Sequence, residues 1–124
     1  TFALEVSGPC WREGRVTDGA VERWARSKDR WWRRTALVST VPLNMKSRGG
    51  DGDADRTLAI CALCAEDRDD MVVKACSWAL RQLVGRDAEA VRSFLRVHEP
   101  ALASRVRREV GRKLTAGRKN PRRR

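Results

Sequence analysis

The sequence lacks tyrosine altogether and contains one histidine and two phenylalanines among its 124 residues. It shows no nucleophile motif, so the side chains that most acid–base and covalent mechanisms use are scarce. No apolar run approaches the roughly 18 residues of a membrane span, and no signal-peptide pattern is present. These absences favour a protein that is neither membrane-embedded nor secreted, and we expect it to be cytoplasmic.

The cysteines do not form a metal-binding pattern. Cys61 and Cys64 stand in a C-x-x-C spacing, but this lies within a predicted helix and has no matching second pair. Cys10, Cys76 and His98 are the remaining soft ligands, and structural zinc usually needs two closely spaced pairs. We therefore expect buried, reduced thiols, and neither a metal nor another cofactor.

The net charge of +11 is concentrated near the C-terminus. Residues 104–124 contain ten Arg or Lys and one Glu, whereas residues 1–103 contain 17 basic and 15 acidic residues. Such a field favours a polyanionic partner, either nucleic acid or an acidic membrane surface. A role of the basic end in solubility alone is the alternative.

Hydrophobic periodicity predicts helices and no strands, an all-α fold. Gly8-Pro9 is expected to close the first helix, Pro42 to end the third at Val41, and Asp18 to cap the second. The segment 46–53 is interpreted as a flexible polar loop because of its glycines and charges. The predicted helices cover residues 2–7, 18–27, 31–41, 55–66, 70–84, 88–98 and 102–116.

These helices pair into hairpins that repeat along the chain. Near the start of each second helix an apolar residue is followed two positions later by a cation, namely Arg34, Lys74 and Arg108, at intervals of 40 and 34. Helical-hairpin repeats of the HEAT type use such a period, and their second helices line one wall of a curved stack. A repeated cation there predicts a basic concave stripe. In the alternative interpretation each cation pairs with a neighbouring acid, such as Asp67, Asp69 or Asp70.

Helix 70–84 carries a second signal. Its apolar residues cover most of its circumference, but Lys74, Trp78 and Arg81 share one stripe that Ser77 and Gln82 flank. A tryptophan between two cations suits an anionic, flat ligand, although Trp78 as a core residue is the simpler alternative. Trp24, Trp31 and Trp32 are expected to pack between elements, and Trp11 is left open.

Three segments carry a resemblance to a known family: WARSKDRWWRRTALVS at 24–39, VVKACSWALRQLVGRDAEAVRSFL at 72–95 and RREV at 107–110. Over residues 1–114 the chain resembles the AlkC/AlkD-type DNA alkylation repair proteins. The resemblance implies a right-handed α-solenoid of about three HEAT-like hairpins that removes N3- or N7-alkylated purines from duplex DNA without flipping the lesion into a pocket. It also implies that Arg34 holds the DNA backbone, that Trp78 contacts the sugar beside the lesion, and that Lys74 is a basic position nearby.

The family's catalytic aspartate is expected upstream of Thr1, in a W-x-x-x-D motif that the resemblance places just before Thr1-Phe2. The carboxylates within the chain that lie at predicted helix ends or links are interpreted as caps. They are Asp29, Glu66, Asp69, Asp70 and Asp87.

The sequence thus predicts a glycosylase domain at 1–117 and a basic flexible tail at 118–124, acting as a monomer near the nucleoid. Arg34, Lys74, Arg81 and Arg108 are the expected phosphate contacts, with Trp78 as the catalytic contact to the sugar. The first alternative is a non-catalytic HEAT-like module that binds nucleic acid or a protein. The second is a protein-only scaffold, in which acids neutralise Lys74 and Arg81.

Overall fold

A computed structural model describes residues 2–119, with side chains described up to residue 116. A π-helical turn at Ala3–Ser7 leads directly into the first of seven α-helices in this range. They are α1 (Gly8–Arg12), α2 (Asp18–Ala25), α3 (Arg30–Asn44), α4 (Ala54–Leu63), α5 (Asp70–Val84), α6 (Ala88–His98) and α7 (Ser104–Lys119).

The helices form two layers of stacked hairpins. Helix α3 packs against α5 and α5 against α7, while α2 packs against α4 and α4 against α6. The π-helical turn and α1 cover the other side of α3. The prediction of an all-α fold of helical repeats is therefore confirmed. We call the layer of α3, α5 and α7 the inner layer and that of α2, α4 and α6 the outer layer.

The core lies between the two layers. From α5 it takes Val72, Ala79, Leu80 and Leu83, none more than 1% exposed. Helix α5 contributes on both sides, as expected for a helix buried between neighbours. The stripe of Lys74, Trp78 and Arg81 is a part of α5 that the core does not fully bury.

Acidic and hydroxyl side chains fix where the helices begin. Asp29, Asp69 and Asp87 each accept hydrogen bonds from backbone N–H groups of the following first turn, which confirms their capping role. The prediction that Asp18 caps α2 is wrong, because Thr17 Oγ1 accepts the bond from the Ala20 N–H instead. The Asp18 carboxylate accepts hydrogen bonds from Trp11 Nε1 at 2.8 Å and from Arg56 Nε at 3.0 Å, which links α1, α2 and α4.

Two prolines do not end helices where the sequence predicted. Pro9 lies in the first turn of α1, where its missing N–H removes no helical hydrogen bond, and the π-helical turn closes just before it through Gly8 N–H and the Ala3 carbonyl. Pro42 lies inside the last turns of α3, which continues to Asn44. The chain after Pro9 is helical up to Arg12, and α1 buries Trp11 completely.

The chain after α3 is hydrogen-bonded and not an open loop. Lys46–Arg48 form one 3-10 turn. Arg86 donates to the carbonyls of Asn44 and Gly50 at 3.1 and 2.8 Å, and Arg12 donates to the Arg48 carbonyl at 2.7 Å. Two arginines from other elements therefore hold this segment.

Helix α7 extends beyond the predicted end at Ala116 to Lys119. The predicted basic tail at 118–124 falls mostly on residues 120–124, which lie outside the described residues, so the division of the chain at 117 stays a prediction. None of the helices between residues 2 and 119 combines the length and hydrophobicity needed to cross a membrane.

Gly8 is predicted to be essential for the contact of α1 with α3. A Cβ at this position would lie 2.7 Å from Pro42 Cγ and 2.9 Å from the Ser39 carbonyl oxygen. Gly8→Ala should therefore lower the free energy of unfolding by about 1–3 kcal/mol, the range for overpacked cores. Urea denaturation followed by circular dichroism measures it.

Gly19→Ala is the matched control. A Cβ at Gly19 has no neighbour closer than 3.7 Å, and the residue lies in the first turn of α2. Alanine there should leave the stability unchanged or raise it. Equal effects of the two substitutions would contradict the close packing at Gly8.

Candidate functional site

A cleft of about 130 Å³ opens between α3 and α5 on the inner layer. Val38 and Ala75 form its buried floor, and Met71 lines its wall. The other lining residues are Arg34, Lys74 and Trp78. Lys74 and Trp78, which the sequence places on one stripe of α5, therefore line a cleft together with Arg34 of α3.

Trp78 is half-buried, with part of its ring packed against the core. It lies one helical turn after Lys74, and the fully buried Cys76, Ala79 and Leu80 occupy the other faces of the helix. Because those residues fix the rotation of α5 in the stack, the exposed part of the indole lines the cleft. The position of Trp78 in the cleft is thus compatible with the predicted contact to a ligand, and that contact stays a prediction.

Arg34 is half-buried and forms no ion pair with any side chain in the described part of the chain. The acids that might have neutralised it are used by its neighbours on α3. Asp67 pairs with Arg33 at 2.6 Å, and Asp69 lies 3.4 Å from Arg30. The positive charge of Arg34 is therefore available to a ligand in the cleft.

Lys74 has an acidic neighbour. Its Nζ lies 3.4 Å from one carboxylate oxygen of Asp70. The other oxygen of Asp70 lies 3.6 Å from Arg105. Both side chains of the Lys74–Asp70 pair are at least half exposed. Since exposed ion pairs contribute little, at most about 1 kcal/mol, Lys74 can exchange this partner for another anion at small cost.

Arg81 belongs to a hydrogen-bonded chain between α5 and α7 and does not line the cleft. Its Nε donates to Ser77 Oγ at 3.1 Å, and Ser77 donates to the Glu109 carboxylate at 2.6 Å. Arg105 donates to the other oxygen of Glu109 at 3.1 Å. The Ser77 hydrogen bond, together with the charges of Arg105 and Arg81, holds the pKa of Glu109 below its ordinary value.

The inner layer continues on α7. Arg108 is exposed and has no ion pair among the described residues, but it lies outside the cleft. Arg105 was missed from the sequence, although its Glu109 partner four residues later is the spacing of a helical ion pair. The repeated cations thus fall into two kinds, with Arg34 and Arg108 unpaired and Lys74 paired to an acid.

The remaining tryptophans do not line the cleft. Trp31 is 52% exposed, and Arg30 lies 5.6 Å from its ring centroid, so the expectation that Trp31 packs between elements is wrong. It lies in the first turn of α3, directly after Arg30. Trp32 is partly exposed and contacts Trp24 at 5.3 Å between ring centroids, which agrees with the packing expected for that pair.

The environments of the buried thiols disfavour the reactive thiolate form. Burial raises the pKa of Cys64 to about 12, and a hydrogen bond to Cys76 together with burial raises the pKa of Cys61 well above its ordinary value. Between residues 2 and 119 no group of three or more His, Cys, Asp or Glu is arranged to hold a metal ion. His98 lies against Phe94 in the last turn of α6, with 4.4 Å between ring centroids.

A family model described as DNA alkylation repair enzyme matches residues 2–114, which covers the π-helical turn, the cleft and most of α7. The chain belongs to this family. It is an alkylation repair protein of the AlkC/AlkD type, and its general function is the repair of alkylated DNA. No curated protein and no solved structure gives a significant match.

The Glu109 network predicts a pH-dependent contribution to stability. Because the folded-state pKa lies below the ordinary value of 4.5, the contribution is complete above about pH 4.5 and is lost as the pH falls through the folded-state pKa. Glu109→Gln should lower the free energy of unfolding at pH 7, by up to about 1 kcal/mol for a partly exposed network. The difference should vanish in acid, as urea denaturation between pH 7 and pH 3 would show.

Glu89→Gln is the control, since Glu89 forms an exposed pair with Arg92 on the outer layer at 3.0 Å. Its effect should be small at every pH. A constant difference between the parent and Glu109→Gln down to pH 3 would show that the carboxylate charge is not what the network stabilises.

Proposed function

We propose that the protein is a DNA glycosylase that excises N3- or N7-alkylated purines from duplex DNA held on the inner layer of its helical repeats. The observation that carries this proposal is the meeting of Trp78, Arg34 and Lys74 in one cleft between α3 and α5. Membership of the alkylation repair family makes DNA its substrate. The alkylated duplex as the ligand of this cleft, a monomeric state and a cytoplasmic location at the nucleoid are parts of the proposal.

The size of the cleft supports excision without base flipping. About 130 Å³ is well below the roughly 300–1,000 Å³ of sites that enclose a small molecule. Enzymes that flip a nucleotide need a pocket that surrounds the extruded base. A lesion that stays in the duplex needs only surface contacts to its sugar and backbone, which the cleft offers.

The chemistry requires few groups from the protein. The bond from C1′ to the purine nitrogen breaks, and its electron pair neutralises the cationic base as it leaves. Water adds to the sugar carbon C1′ and releases a proton to solvent, which leaves a hydroxyl group on the sugar. Positive charge develops on the sugar, and the exposed part of the Trp78 indole can stabilise it by cation–π attraction. Arg34 would hold the adjacent phosphate and keep the sugar against the indole.

A carboxylate would complete the site by stabilising the developing cation and orienting water. The residues that line the cleft include no acid, and the nearby Asp70 is paired with Lys74 and Arg105. Asp29, Asp69 and Asp87 cap helices. No carboxylate among the described residues is therefore assigned this role.

A second candidate is a family member that binds DNA without cleaving it. The absence of an acid from the cleft lining favours it. Both candidates predict DNA binding through phosphate contacts, and only base release distinguishes them.

Base release from duplex DNA that contains N7-methylguanine tests the proposal, with the protein expressed from its natural start codon. The parent should release free N7-methylguanine, measured by chromatography. Trp78→Ala should lower the single-turnover rate about 2- to 30-fold, the scale of one lost cation–π contact of about 0.5–2 kcal/mol. Arg34→Ala should lower the rate and weaken DNA binding together, because its contact is to the backbone.

Trp32→Ala is the matched control, since it removes another partly exposed indole that lies outside the cleft. It should leave the rate of base release near that of the parent. Salt-sensitive DNA binding with no base release by the parent would establish the non-catalytic candidate instead.

A further inference from the structure

A second cleft, of about 410 Å³, lies at the C-terminal ends of α3 and α5, beyond the cleft that contains Trp78. Its lining includes no acidic residue. The walls are formed by Asn44, Met45, Lys46, Ser47, Gln82, Gly85 and Arg86. A concave surface of amides, a hydroxyl and basic groups is suited to an anion.

The segment that carries Lys46 is held rigidly by contacts to its backbone. Arg86 donates to the carbonyls of Asn44 and Gly50, and Arg12 donates to the Arg48 carbonyl. Gly50 lies so close to the end of α3 that an added Cβ would be 2.5 Å from the Leu43 carbonyl oxygen. These contacts fix the backbone of the 3-10 turn and leave its side chains free.

The two cations of the turn differ in their surroundings. Lys46 is exposed, lines the acid-free cleft and forms no ion pair among the described residues. Arg48 lines the neighbouring cleft, which shares Met45 and Ser47 with the cleft of Lys46 and also contains Glu5. In the same segment Asp53 caps α4 and lies 3.5 Å from Arg56, and Asp51 does not line the cleft of Lys46. Of the two cations, Lys46 is therefore the one that faces a cleft without acids.

Arg86, like Lys46, makes the cleft more favourable for an anion. The C-terminus of a helix carries a partial negative charge, which would repel an anion. Arg86 binds the Asn44 carbonyl at the end of α3 and so offsets that charge. Without it, Lys46 would face the free carbonyl groups of α3.

The cleft lies on the same side of α5 as the first one. Gln82 follows Trp78 by one helical turn, and Lys74 by two. At 1.5 Å per residue, Gln82 is about 12 Å along the helix from Lys74, which is close to the width of a DNA groove. One duplex can therefore reach both clefts, with different phosphates.

We propose that Lys46, Ser47 and Gln82 form a second backbone site that binds a phosphodiester of the DNA whose lesion lies at Trp78. This inference rests on the proposed function, because it assumes that the inner layer binds duplex DNA. Lys46 supplies the charge, while the Ser47 hydroxyl and the Gln82 amide donate hydrogen bonds to phosphate oxygens. A phosphate contact carries no sequence information, so the site fixes the position of the duplex without distinguishing lesions.

The salt dependence of DNA binding tests this site. Fluorescence anisotropy with the full-length protein would measure affinity for an N7-methylguanine duplex and an unmodified duplex between 50 and 200 mM salt. Lys46→Ala should make the slope of log affinity against log salt less steep by about 1, equally for both duplexes. Arg48→Ala removes the same charge from the same turn and should leave the slope almost unchanged. Thermal unfolding of both variants should match the parent, since neither side chain has a protein partner among the described residues.

Equal reductions in slope for Lys46→Ala and Arg48→Ala would overturn the proposal, because they would reflect bulk charge alone. An unchanged slope for Lys46→Ala, in a parent that binds DNA and releases N7-methylguanine, would overturn this site and leave the glycosylase intact. A parent that does not bind duplex DNA would overturn both proposals.

Discussion

The packing of α3 against α5 is the contact on which the rest of the structure depends. It joins successive hairpins of the inner layer, and the cleft with Trp78 exists only where the two helices meet. The part-buried pair of Arg33 and Asp67, at 2.6 Å, ties the start of α3 to the turn before α5. Because this pair and the cap at Asp69 use the acids at that end, Arg34 keeps its charge for a ligand. Helix capping and site electrostatics therefore depend on the same few carboxylates.

The cations of the inner layer fall into two groups, those with an acidic neighbour and those without one. Between α5 and α7, Asp70 and Glu109 are shared among Lys74, Arg81 and Arg105, whereas Arg34 and Arg108 have no acidic partner among the described residues. Pairing of this kind keeps neighbouring cations from repelling one another in the free protein. A DNA backbone can replace the exposed partners, so the surface can be both stable alone and attractive to a polyanion.

Patterns within single helices were predictable, and contacts between elements were not. Asp69 caps α5 as its position in the sequence indicates, and the spacing of Lys74, Trp78 and Arg81 places them on a common side of the helix. The close approach of Gly8, after the π-helical turn, to Pro42 in the last turns of α3 is a contact that no local pattern encodes. The order of the segment after α3 likewise depends on Arg86, a residue 36 positions beyond the Gly50 carbonyl that it binds. The attachment of Arg81 to Ser77 and Glu109, and not to the cleft, is a tertiary detail of the same kind.

The central claim is that alkylated DNA binds in the cleft between α3 and α5. The most direct test is the ¹⁹F NMR spectrum of protein labelled with fluorotryptophan, titrated with a duplex that contains N7-methylguanine. The chain has five tryptophans, so each signal can be assigned by single substitution. Binding in this cleft should shift the Trp78 signal strongly. The signal of the fully buried Trp11 should stay unchanged and serves as the internal reference. A saturating titration that moves the signals of Trp31 or Trp32 and leaves Trp78 unchanged would show that DNA binds elsewhere on the protein.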